Sequence, residues 1–163
     1  MAYFNNIEIT AADSPSVDAF GRWRVSSPVT LFDSKQIYDT GSLFWSTKMV
    51  GNATASYNKS KASTDLVCTG SNSSIIRQTK RNFNYQPGKS QLIVVTANFN
   101  GLQDGVIKRC GYSDGVDGIG FMSSGSSFGC YIISGVDNSD TFISQSNWNL
   151  DKYNGSGPSG HSL

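Results

Sequence analysis

Few residues of this chain have the type and spacing needed for chemistry. The single histidine, His161, lies third from the end of the 163 residues, inside a Gly- and Ser-rich stretch. A Ser-His-Asp arrangement needs an imidazole held rigidly by a third group, so we expect no nucleophilic catalysis. Three cysteines and this histidine are scattered from Cys68 to His161, whereas a zinc site needs several convergent ligands.

Paired carboxylates are the remaining catalytic arrangement, as in glycosidases. Glu8 is the only glutamate, and most aspartates stand beside Gly, Asn or Ser, where turns are expected. These turn-type aspartates are Asp104, Asp114, Asp117, Asp137 and Asp140. They also offer oxygen donors to Ca²⁺, but their spacing differs from the D-x-[DN]-x-[DN]-G loop. The sequence therefore predicts no enzyme, no cofactor and no metal site.

Short strands are the elements expected to position whatever the chain binds. Good helix formers are scarce, while Ser, Gly, Asn and β-branched residues are abundant. Alternating or β-branched runs separated by turn residues are typical of a sandwich or barrel. The predicted strands are 29–38, 42–50, 62–69, 74–81, 91–99, 105–112, 118–123, 128–134 and 141–145. Residues 92–95 (Leu-Ile-Val-Val) are the most apolar stretch, and we predict them as the central strand.

The predicted fold is all-β: an antiparallel, jelly-roll-like β-sandwich over residues 29–146. An extended N-terminal arm, residues 1–28, precedes it, and a Gly/Ser/Pro-rich tail or linker, residues 147–163, follows. Hairpin turns are predicted at 113–118 and 123–126, where Gly supplies a positive φ. No apolar run is long enough to span a membrane. The net charge of +1 gives no electrostatic argument for nucleic acid or a membrane surface as partner.

A dense basic, aromatic and apolar segment, DAFGRWRVSSPVTLFDSKQIYD, occupies residues 18–39. No helical period gathers its apolar residues on one face, so the segment needs another surface to lie on. Arg and Trp concentrate at interface hot spots. The candidate docking residues are Phe20, Arg22, Trp23, Arg24, Leu31 and Phe32. The alternative is that the segment wraps its own domain.

Residues 18–39 closely resemble the opening of a family of virion structural proteins of tailed bacteriophages. The resemblance continues as short motifs over most of the chain. These motifs are RQTKR, YQPGKS, GY, DGIGF, QSNWNLDK and GSGPSG, at 77–81, 85–90, 111–112, 117–121, 145–152 and 155–160. The resemblance implies a virion component, made in the host cytoplasm, that docks on other virion proteins. Low charge and an incomplete set of strands favour homo-oligomers, with a trimer expected for a fibre. We expect a fibre or tail-associated place, with a capsid-associated place as the alternative.

Further strands would follow such a tail in the family that the chain resembles. A sandwich lacking them leaves an unpaired edge that favours pairing with another chain. Trp148 and Tyr153, at the edge of the predicted sandwich, are candidates for a glycan or interface platform. The competing function is therefore a lectin-like module that binds host surface sugars.

Overall fold

The computed structural model describes residues 29–84 and 91–163. The predicted docking residues that lie outside the described part are Phe20, Arg22, Trp23 and Arg24. The chain divides into two compact units, Met1–Gln86 and Pro87–Leu163. The described residues form antiparallel β-sheets, one short 3-10 helix and no α-helix, so the all-β antiparallel prediction is confirmed. No helix in this part of the chain is long and apolar enough to cross a membrane.

The first unit contains a long antiparallel ribbon of four strands. These are β1 (Trp45–Val50), β2 (Ala53–Asn58), β3 (Ser63–Cys68) and β4 (Ser74–Thr79). β1 pairs with β4, and β2 pairs with β3 inside that hairpin. Two residues join β1 to β2, whereas five join β3 to β4, so the ladder changes register at this step. Asn52 closes the step, because its carbonyl accepts from Thr69 N at 2.8 Å and its N–H donates to Ser73 Oγ at 3.1 Å.

The second unit contains a four-stranded antiparallel sheet. Its strands are β5 (Gln103–Ser113), β6 (Gly118–Gly125), β7 (Ser127–Ser134) and β8 (Ser139–Ser144), and the 3-10 helix Gln145–Asn147 follows. Each strand pairs with its neighbour in sequence, in the order β5-β6-β7-β8. This connectivity is a meander, and the jelly-roll strand order stays a prediction.

Local turn chemistry fixes the register of this sheet, as predicted. Asp114 Oδ1 accepts the backbone N–H groups of Val116 at 2.9 Å and Asp117 at 2.8 Å. These N–H groups hold the pKa of the Asp114 carboxyl below its usual value. Gly125 takes a φ of +55° at the next turn, a conformation that favours glycine. Both predicted hairpin turns are thus confirmed.

Two of the predicted strands are wrong, and one strand was missed. Residues 29–38 and 91–99 form no strand, although both are rich in β-forming residues. Residues 29–38 and 92–99 carry no ladder among the described residues, and strand propensity alone does not create one. Conversely, β2 was not predicted, because Ala-Thr-Ala-Ser-Tyr-Asn carries one large apolar side chain. Pairing with β3 makes it a strand.

One face of the four-stranded sheet is covered by its own side chains. A Cβ on Gly120 would lie 2.9 Å from Tyr131 Cε1, and one on Gly129 would lie 2.9 Å from Phe142 Cε2. The two rings therefore lie over glycines, which have no side chain to displace them. Tyr131 and Met122 are the only buried hydrophobic residues in the described parts of the chain. We call the side that carries them the closed face.

Arg109 completes the closed face. Its guanidinium lies 5.4 Å from the centroid of the Tyr131 ring, within the range of a cation–π contact. Its Nε donates to Met122 Sδ at 3.1 Å, and Nη2 lies 3.7 Å from Asp140 Oδ2. Burial is the main cause of the raised pKa of the Tyr131 hydroxyl. One cation thus covers the most buried ring of the sheet.

Candidate functional site

The opposite side of the sheet carries apolar side chains that are only partly covered. Because side chains alternate along a strand, the cross-strand partners Ile119 and Ile132 share this side. Phe121 and Ile143 share it too, on either side of Cys130. These four side chains are 55, 43, 43 and 39% exposed for Ile119, Phe121, Ile132 and Ile143. We call this surface the open face.

Two cysteines flank Phe121 on the open face. Cys110 and Cys130 are its cross-strand partners on β5 and β7. Burial raises the pKa of both thiols, so they remain protonated at neutral pH. Such thiols behave as small apolar groups rather than as nucleophiles. The open face is therefore uncharged around its centre.

An aromatic cluster stands at the end of the open face. The Phe121 and Phe128 rings are stacked, with centroids 5.9 Å apart and 8° between their planes. Trp148 lies against both, at 6.5 and 6.4 Å, and Tyr153 meets Trp148 edge-on at 6.3 Å. Phe99 packs on Phe128 at 5.5 Å. The predicted platform residues Trp148 and Tyr153 thus belong to one cluster of five rings.

The chain after β8 is folded back by hydrogen bonds that place Trp148 and Tyr153. Gln145 Nε2 donates to the carbonyls of Lys152 at 2.7 Å and Tyr153 at 3.0 Å. The Asp151 carboxylate accepts the backbone N–H groups of Tyr153 at 2.8 Å and Ser159 at 2.9 Å. Hydrogen bonds from Ser159 and Tyr153 lower the pKa of Asp151. Asp151 is therefore ionised at neutral pH and organises residues 151–159 into a closed turn.

Sequence reasoning did not identify three members of the cluster: Phe99, Phe121 and Phe128. A signal for two of them exists in the sequence. Counting back from the turn at Gly125 sets Ser123 opposite Phe128, which places Phe121 and Phe128 on one side of the sheet. No comparable signal places Phe99, because it lies outside the strands.

Among the described residues, no group of His, Cys, Asp or Glu side chains is arranged to hold a metal ion. We found no significant match to the chain among protein-family models, curated proteins or solved structures. The residues themselves therefore carry the functional argument.

The two described docking candidates, Leu31 and Phe32, have different environments. Phe32 is half-buried at the centre of a ring cluster of its own unit. Its centroid lies 5.5 Å from Phe83, 5.9 Å from Trp45 and 6.2 Å from Phe44. Leu31 is 52% exposed, and its carbonyl accepts from Arg81 Nη1 at 3.2 Å. The side chain of Phe32 thus packs on its own unit, whereas that of Leu31 points away from it.

Residues 31–40, which we call the strap, lie along the ribbon without a backbone ladder. The carbonyls of Leu31, Ile37 and Thr40 accept hydrogen bonds from the side chains of Arg81, Tyr57 and Arg77. Trp45 Nε1 donates to Ser34 Oγ at 2.8 Å. Side chains of the ribbon therefore hold the strap in place.

Arg77 is the central residue of this attachment. Its guanidinium lies 5.0 Å from the centroid of the Trp45 ring, and Nη1 donates to Thr47 Oγ1 at 3.2 Å. Burial lowers its pKa, but an arginine stays charged at any physiological pH. Arg81 likewise lies over the Phe83 ring at 5.5 Å. Both cations are thus engaged within their own unit.

Proposed function

We propose that this chain is a structural component of a tailed-phage virion rather than an enzyme. The observation that carries the proposal is the imbalance between exposed and buried apolar side chains. Eleven large hydrophobic residues of the first unit and fifteen of the second are exposed, whereas Met122 and Tyr131 are buried in the described parts. Such surface is normally covered by a partner, because a soluble monomer rarely exposes large apolar patches. An assembly subunit fits this requirement.

The assignment to a phage particle is supported by the resemblance of residues 18–39 to virion structural proteins. Docking through the N-terminal arm, a fibre or tail-associated place, and the capsid-associated alternative belong to the same proposal. The partners are other virion proteins and further copies of this chain, and its location is the virion after synthesis in the host cytoplasm.

The chain should therefore be a stoichiometric component of purified phage particles. Mass spectrometry of particles made in cells that express the chain measures this directly. A particle reconstruction should then show its density on the tail or fibres. Density on every hexamer of the head lattice would select the capsid-associated alternative. Particles that form normally without the chain would contradict the structural role.

The second candidate function is recognition of host surface sugars by Trp148 and Tyr153. It is favoured by the 6.3 Å separation of their rings. Sugar stacking, however, needs an exposed ring face. Trp148 is half-buried against Phe121 and Phe128, so much of its surface serves the cluster.

We expect Trp148→Ala to lower the free energy of unfolding by about 1–2 kcal/mol, since aromatic contacts and apolar area are lost. We expect no Trp148-dependent binding to host polysaccharide. Urea unfolding and a polysaccharide binding screen measure the two effects, with Trp148→Phe as the control that keeps an aromatic ring. Sugar binding that Trp148→Ala abolishes while particle incorporation persists would place the lectin-like function first.

A further inference from the structure

Residues 92–97 (Leu-Ile-Val-Val-Thr-Ala) form an apolar segment without a ladder partner among the described residues. Leu92, Ile93, Val94 and Val95 are 66, 46, 78 and 54% exposed. In a strand, successive side chains point to opposite faces, so this segment would present apolar groups on both. Strands of that kind are typical of sheet positions covered on both sides.

The chain after this segment has the backbone of a hairpin turn. Asn100 and Gly101 take φ values of +51° and +77°, as the two central residues of a type I′ turn do. Lys108 Nζ donates to the carbonyls of Phe99 at 2.6 Å and Gly101 at 3.0 Å. The segment is thus anchored at one end beside β5.

Its own β5 is nevertheless a poor partner for this segment. A hairpin closed at Asn100 and Gly101 would set residues 94–96 opposite residues 105–107. The register of β5 shifts between Gln103 and Ile107, and Gly105 takes a φ of +74°. A bulge of this kind interrupts a ladder. The interruption falls where the hairpin would have to pair.

β8 offers a regular edge of the matching length. It has six residues, Ser139–Ser144, and pairs only with β7 among the described strands. Every second residue of an edge strand turns its N–H and C=O outward, unpaired. Its one charge, Asp140, faces Arg109 at 3.7 Å, and residues 92–97 carry no charge. The two six-residue stretches are therefore compatible in length and charge.

We propose that residues 92–97 of one copy add as a strand to β8 of a second copy of this chain. Alternate side chains of the added strand then lie beside Ile143 on the open face and beside Phe142 on the closed face. Reciprocal addition gives a two-fold dimer, whereas head-to-tail addition gives a ring if the rotation between copies closes and an open filament if it does not. The inference rests on the proposed function in one respect: the partner is a further copy of this chain.

The test compares Val94→Lys with Val29→Lys in the full-length chain. The two valines are 78 and 79% exposed, so each substitution costs the monomer little. A charged residue in an added strand opposes pairing. Sedimentation velocity across micromolar concentrations should show that the unmodified chain and Val29→Lys self-associate. Val94→Lys should associate at least about tenfold more weakly. Circular dichroism checks that both variants fold.

Hydrogen exchange of the unmodified chain gives a second readout that needs no variant. The amides of 92–97 and 139–144 should become protected together as the concentration rises. Protection of 92–97 alone, at every concentration, would indicate a hairpin with β5 and overturn the inference. A monomer at all concentrations, or equal association of the two lysine variants, would overturn it as well.

Particle incorporation separates this inference from the proposed function. Normal incorporation of a chain that does not self-associate would remove the inference and leave the function standing. Self-association through residues 92–97 without incorporation into particles would contradict the proposed function and leave the inference standing.

Discussion

Deletion of residues 1–28 should leave a folded β protein that no longer enters phage particles. All eight described strands lie between Trp45 and Ser144, and their ladders join residues of that range to one another. The sheets therefore do not need the deleted residues as ladder partners. Circular dichroism should retain the β signal, while the amount of truncated chain in purified particles should fall to background.

The proposed docking residues within the arm can be tested separately. We expect the combined change of Arg22, Trp23 and Arg24 to alanine to reproduce the effect of the deletion, since truncating a hot-spot residue costs about 2 kcal/mol or more. Alanine at Lys59 and Lys61, two exposed cations in the turn between β2 and β3, is the charge-matched control and should not affect incorporation. Normal incorporation of the 1–28 deletion would refute docking through the arm.

Phe32→Ala should destabilise the first unit by about 2–3 kcal/mol. This is below the range for a fully buried phenylalanine, because Phe32 is only half-buried, but three aromatic contacts are lost at once. Leu31→Ala is the control and should cost under about 0.5 kcal/mol, as exposed side chains do. Hydrogen exchange in urea, read on peptides from β1 and β4, reports the stability of this unit separately from the other.

The same two variants distinguish the two roles given to this segment. If the side chain of Phe32 docks on a partner instead of on its own unit, Phe32→Ala will leave the stability unchanged and reduce particle incorporation. If Leu31 docks, Leu31→Ala will reduce incorporation without loss of stability. The structure favours an internal role for Phe32 and leaves the side chain of Leu31 available.

The sequence predicted best those strands whose register is fixed locally. β6 and β7 are separated by a turn at Gly125, and Asp114 organises the turn before β6. In both places the turn residues and the alternating pattern agree, so nearby residues determine which strands pair. The closed and open faces of the sheet follow from the same alternation.

The errors arose where a strand depends on its pairing partner rather than on its own pattern of residues. Residues 92–99 have the strongest strand propensity, yet they form no ladder in the described part of the chain. β2 has a weak pattern and becomes a strand because β3 returns beside it. Two of the five rings of the aromatic cluster were predicted, and Phe99 was missed for the same reason. Phe99 joins Phe128 through the turn at Asn100 and the lysine that anchors it, and hydrophobic periodicity does not contain that information.

The strap attaches to its unit in two ways, through backbone carbonyls at some positions and through side chains at others. Leu31 and Ile37 are attached to the ribbon through their carbonyl oxygens, and every amino acid has a carbonyl. Folding of this unit therefore places almost no demand on the identity of these two side chains, whereas it does constrain Phe32 and Ser34, whose side chains face Trp45. Along residues 31–37, exposed positions alternate with half-buried ones, so the exposed side chains can change with a binding partner while those between them preserve the fold.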